Sequence, residues 1–186
     1  ARCLLTSCSR FKNMFIHFDA LFAPILLMTK SHFLDQILTQ LQAEFAMQTK
    51  AAQLAHDEAT SEESRPQSKY DTHGQEAAYL AEGQARLAGE ASESIKAYQS
   101  CDFPDYQPTD PISIGALVAI SSSEQTTRFL LGPKAGGLEL TDLQNNPVNL
   151  ITPQSPLGRQ LIGKRVGDSV SLPAKVSSIQ TITDVQ

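Results

Sequence analysis

A chain of 186 residues can hold one ordinary domain or two small ones in series, and 41 % apolar content without any Trp allows only a modest core. The net charge of −5 is unevenly placed: residues 29–100 carry six basic and eleven acidic side chains, whereas residues 110–186 carry six of each. An acidic first half argues against independent nucleic-acid binding, which is carried by clustered Lys and Arg, and leaves a basic protein surface or a cation as sensible partners.

The first 28 residues differ from the rest. Arg2, Arg10 and Lys12 precede an apolar run from Met14 to Met28 that superficially resembles a secretion signal. The run is short for a bilayer, is interrupted by Asp19 and Pro24, and has no small-x-small cleavage site. A normal-looking start, Met-Thr-Lys-Ser, begins at Met28. Residues 1–28 therefore read as a disordered or non-native leader, with a signal peptide or membrane anchor as the alternative.

From Lys30 to about Thr60 there is no Gly and no Pro, and Leu34, Leu38, Leu41 and Phe45 recur at helical spacing. Ala52, Ala55 and Ala59 continue the stripe, so the distal seam is thin enough for a second helix to approach closely. The segment from Ser61 to Thr72 holds Pro66 and several Ser and breaks the pattern. Thr72 with Gln75 has the spacing of a capping box. A second seam then runs through Ala77, Leu80, Gln84, Leu87, Ala91, Ile95 and Tyr98. Two such helices joined by a short polar turn predict an antiparallel coiled-coil hairpin over 29–100, each arm about 28 residues and roughly 40 Å long. The turn sits at the far tip.

Residues 101–111 hold three prolines and read as a linker. Cys3, Cys8 and Cys101 form no CxxC and no disulfide framework, which fits a reducing, cytoplasmic compartment. The histidines at 17, 32, 56 and 73 make no metal-ligand spacing. Beyond the linker, strands are predicted at 112–121, 128–131, 138–140, 148–151, 169–172 and 176–183, with one short helix between Pro156 and Gly163. The fold class is α+β: a helical hairpin followed by a small antiparallel β domain over 112–186.

The run ITPQSPLGRQLIGKRVGDSVSL at 151–172 resembles the C-terminal domain of the GreA/GreB transcription elongation factors through Ser155, Pro156, Leu161, Ile162, Gly163, Lys164, Gly167 and Asp168. Pro156 opens a helix at its first turn, Gly163 closes it, and Gly167-Asp168 turns the chain into the last strands. Glu76-Ala77-Ala78-Tyr79-Leu80-Ala81 looks like the start of that family's second hairpin helix.

The resemblance implies an FKBP-like β domain and a monomer whose partner is bacterial RNA polymerase. Pro153, Ser155, Pro156 and Arg159 would contact the rim of the polymerase secondary channel, with the hairpin inside it. The protein would have no catalytic residues, cofactor or membrane contact of its own. Tip carboxylates would share a Mg²⁺ at the polymerase active site and promote cleavage of backtracked RNA, since a hard cation takes oxygen ligands. Aligning on Tyr79, however, puts the family's paired acids at Thr72 and Gln75, which carry no charge. Asp71 and Glu76 are the nearest replacements; Asp57, Glu58, Glu62 and Glu63 lie on the other arm.

Two alternatives follow: a Gre-like inhibitor or modulator without cleavage activity, and a coiled-coil adaptor or chaperone unrelated to polymerase. A prolyl isomerase is disfavoured, because its site needs an aromatic-lined pocket and residues 110–186 contain one Phe and no Tyr or Trp.

Overall fold

A computed structural model describes residues 16–62, 72–107, 109–121, 126–171 and 179–186. The first helix, α1 (Ile16–Thr60), is followed by α2 (His73–Gln99). The β domain then runs β1 (Leu117–Ser121), β2 (Thr126–Leu131), β3 (Glu139–Thr141), β4 (Pro147–Ile151), α3 (Pro156–Leu161), β5 (Ser169–Ser171) and β6 (Ile179–Val185). Helix α1 begins at Ile16, so the part of the expected leader from Ile16 onward is helical and continuous with the hairpin. Among the described residues, no helix is long and apolar enough to cross a membrane.

Among the described residues, six strands form one sheet in the order β3-β4-β2-β1-β6-β5. Four of the five pairings are antiparallel, as expected, but β2 pairs with β4 in parallel, Leu130 opposite Leu150. The sheet is therefore mixed. Strand β4 returns between β2 and β3, and β6 between β1 and β5, so neither edge strand is the first or the last in sequence. Strand β1 starts at Leu117, five residues later than expected, because Gly115 turns the chain at a φ of 94°.

The side-chain alternation of β2 explains how two cores share one sheet. Phe129 and Leu131 join Val118, Ile120, Leu157, Leu161, Val170 and Ile182 on one face, where α3 lies. Leu130 points the other way, to Val148, Leu150 and Leu140 from the sheet and Phe33, Ile37, Leu41 and Tyr98 from the base of the hairpin. The base of the hairpin is thus one cover of the β domain. The seam expected from Leu34, Leu38, Leu41 and Phe45 is shifted: Phe33, Ile37 and Leu41 are fully buried, whereas Phe45 is 39 % exposed.

Residues 101–107 form a strap held to both parts. The buried Lys30 of α1 donates its ammonium to the Pro104 carbonyl, lies 3.4 Å from the Asp105 carboxylate and sits 5.4 Å over the Tyr106 ring. Burial lowers the Lys30 pKa, and Asp105 opposes that shift. Phe103 stacks on Tyr98, and the Tyr106 hydroxyl donates to the Ile114 carbonyl at 2.9 Å.

The β3–β4 turn is organised by the buried Asp142. Its carboxylate accepts from the Gln144 and Asn146 backbone N–H groups at 2.9 and 2.8 Å, from the Asn146 amide at 2.8 Å, and from Arg128. Burial alone would raise its pKa. The donors outweigh that and hold it below the usual carboxylate value, so the stability it contributes is lost only as pH falls through that lowered pKa.

Candidate functional site

Two regions carry the candidate residues: the hairpin tip and the segment 152–168. The hairpin leaves the sheet after Leu41, the last α1 residue in the shared core, and continues to Thr60. At 1.5 Å per residue that is a projection of roughly 28 Å. Beyond the sheet its seam is made of small residues, with Ala55, Ala77, Ala88 and Ala91 buried between the helices.

At the tip, Glu58 near the end of α1 pairs with His73 at the start of α2, Oε1 to Nε2 at 3.0 Å. Both side chains are exposed, so the pair fastens the arms only weakly. Asp57 accepts from Gln53 one turn earlier at 2.7 Å. Glu76 is exposed in the first turn of α2, where a carboxylate favours the helix N-terminus, and its Oε1 accepts from the Thr72 hydroxyl at 2.7 Å. Asp71 and Glu63 lie outside the described residues.

The expected capping box does not form. Thr72 occupies the N-cap position, but its hydroxyl goes to the Glu76 carboxylate and makes no cap bond to the backbone. Gln75 donates to the Tyr79 hydroxyl at 3.4 Å instead of reaching back. Among the described residues, no three His, Cys, Asp or Glu side chains are grouped to hold a metal ion.

In the second region Ser155, Pro156, Gly163 and Gly167 each have a mechanical task. Ser155 is the N-cap of α3: its Oγ accepts from the Gly158 N–H at 2.9 Å and donates to the Thr152 carbonyl at 2.8 Å. Pro156 follows at the first helical position. Gly163 ends the helix at a φ of 78° and donates its N–H to the Ile112 carbonyl at 2.9 Å. Gly167 has a φ of 93°, and the Asp168 carboxylate accepts from the Arg165 N–H at 2.8 Å, closing the turn into β5. The apolar Leu157 and Leu161 point into the core.

Pro156 and Arg159 are exposed, Pro153 and Ser155 are half-buried, and Arg159 Nε donates to the Gln154 carbonyl at 3.0 Å. The four residues expected to meet a partner therefore lie together at the start of α3. Sequence reasoning missed Gly158. A Cβ there would lie 2.0 Å from the Thr152 carbonyl oxygen, so only glycine lets the helix close on its own entry loop. The signal was present, since a glycine inside a six-residue helix needs a reason.

Residues 107–186 match the family model described as transcription elongation factor, GreA/GreB, C-term. The β domain of this chain, together with the end of the strap, is similar to the GreA/GreB C-terminal domain. That match contains the whole sheet and the 152–168 segment, and leaves the hairpin outside it. Among solved structures, this chain is similar to GreA factor homolog 1 (Gfh1) of Thermus thermophilus. The identity is 20 % with a TM-score of 0.33, over 83 % of this chain and 95 % of that one. Gfh1 of Thermus aquaticus gives 19 % identity and a TM-score of 0.34, over 83 % and 94 %. The GreA/GreB elongation factor of Nitrosomonas europaea gives 18 % and 0.31, over 51 % and 78 %. At these scores the overlays carry no argument about the site. No curated protein sequence matches the chain.

Proposed function

We propose that this protein is a transcription elongation factor that binds bacterial RNA polymerase at its secondary channel and modulates backtracked complexes. The observation that carries the reading is a GreA/GreB C-terminal domain built onto the base of a hairpin whose tip stands clear of the sheet. The exposed Pro156 and Arg159 suit contact with the channel rim, while a narrow alanine-seamed hairpin suits entry into a confined passage. Factors of this type are accessories to the polymerase and own no catalytic centre. Bound, the hairpin would add oxygen ligands to the polymerase's own Mg²⁺ chemistry, with Glu76, and Asp71 beside it in sequence, as the candidates. The tip's described acids are partly committed, Glu58 to His73 and Glu76 to Thr72. Those commitments favour a second outcome, occupancy of the channel without cleavage.

Transcript cleavage on a stalled, backtracked complex separates the two outcomes. Asp71→Asn with Glu76→Gln keeps shape and removes charge. If the tip acids stimulate cleavage, the double variant binds polymerase like the wild type but loses at least about tenfold in cleavage rate, the scale of losing one transition-state contact. If the protein only occupies the channel, neither form stimulates cleavage. Wild-type stimulation that persists undiminished in the double variant would eliminate both residues.

A further inference from the structure

The two edge strands of the sheet are closed by matching arrangements of side chains. On β3, Gln36 of α1 donates Nε2 to the Thr141 carbonyl at 2.7 Å and accepts from the Thr141 N–H on Oε1 at 3.1 Å. Gln40, one helical turn on, donates to the Glu139 carbonyl at 3.1 Å. On β5, Gln160 of α3 donates Nε2 to the Ser171 carbonyl at 3.0 Å and accepts from the Ser171 N–H at 3.0 Å. The Lys164 ammonium donates to the Ser169 carbonyl.

In an antiparallel ladder, directly opposed residues exchange both N–H···O bonds at every second position. The inner neighbours take Leu140 on β3 and Val170 on β5, so the flanking residues of each strand turn their backbone groups outward. Those outward groups are the ones the side chains occupy. A primary amide has the donor and acceptor of a peptide unit, and here it reproduces the bond pair that an incoming strand would make.

We propose that Gln36 and Gln160 act as surrogate strands that close both edges of the sheet and keep a second copy of this chain from pairing with it. An uncovered edge is a template for association. Strand β3 has three residues, and along it and the described residues of β5, Ser169–Ser171, one bidentate amide and one further donor occupy the outward backbone groups.

The test uses the full chain with Gln36→Leu and Gln160→Leu, singly and together. Amide hydrogen exchange should find the Thr141 and Ser171 N–H groups protected in the wild type. Each single substitution should speed exchange at its own edge alone by about tenfold or more, the scale of one lost hydrogen bond. In sedimentation experiments the wild type should stay monomeric, and the double variant should self-associate as concentration rises. Gln36→Met and Gln160→Met are closer in shape and carry neither the amide donor nor its acceptor oxygen, so they supply the exchange readout where a Leu variant does not fold. Unchanged protection of Thr141 and Ser171 in the single variants would overturn the proposal. So would a folded double variant that remains monomeric at every concentration.

Discussion

Tyr98→Ala is expected to lower the stability of this protein by about 4 kcal/mol, as replacing a fully buried aromatic ring usually does. In thermal unfolding that corresponds to a fall in Tm of roughly 12 °C for a chain of this size. Tyr98 has no exposed surface, although it sits one residue before the end of α2. Its ring packs with Phe33, Ile37, Leu130 and Leu150, so it touches both the hairpin and the sheet. Its hydroxyl donates to the Lys134 carbonyl at 2.7 Å. Gly132 lies directly beneath, where a Cβ would stand 2.1 Å from the Tyr98 oxygen. The side chain is therefore matched to a slot that no other residue fills. Tyr98→Phe removes only the hydrogen bond and should cost about 1 kcal/mol. Burial also pushes the phenol pKa well above its ordinary value of 10.0. The native state holds that proton more tightly than the unfolded chain does. The resulting stability is complete below pH 10 and is lost as pH rises beyond it, a loss that Tyr98→Phe should abolish.

Gly158→Ala should cost about 3 kcal/mol, the upper end for inserting one carbon into packed surroundings. The added Cβ would face the Thr152 carbonyl oxygen at 2.0 Å and the Ser155 hydroxyl at 2.9 Å. Both obstacles are held in place, because Thr152 accepts from Ser155 and Ser155 caps the helix through the Gly158 N–H. The loop must open and the cap must break together. Chemical unfolding measures the loss. Limited proteolysis should also find new cleavage around residues 152–156 in the variant, since the damage is local to the face carrying Pro156 and Arg159.

The segment from Ser155 to Asp168 was legible in the sequence because its constraints are local. A cap, a proline at the first helical position and glycines at positive φ act over three or four residues. The hairpin seam was less legible, and the reason is the sheet. Periodicity finds one stripe per helix, but the proximal half of α1 packs on two neighbours. Phe33 and Ile37 join the sheet-facing core, with Leu34, Leu38 and the α2 residue Ile95 packed around its margin. Phe45 fits the predicted stripe yet lies beyond Leu41, where the sheet has ended. The parallel pairing of β2 with β4 was hidden for a related reason: strand patterns show alternation and say nothing about which strand lies beside which. At the tip, Glu76 was legible as an acid of the first turn, but its capture by Thr72 was not, because Thr72 fitted the capping-box spacing equally well.

The most direct measurement of the central claim is binding of the full chain to bacterial core RNA polymerase, read by surface plasmon resonance. The account predicts saturable binding that Arg159→Glu weakens by about tenfold or more, consistent with loss of a contact at an interface, while circular dichroism stays unchanged because Arg159 is exposed. A GreA-type factor already occupying the secondary channel should compete with it. Absence of saturable binding, or binding that such a factor leaves undiminished, would contradict the account.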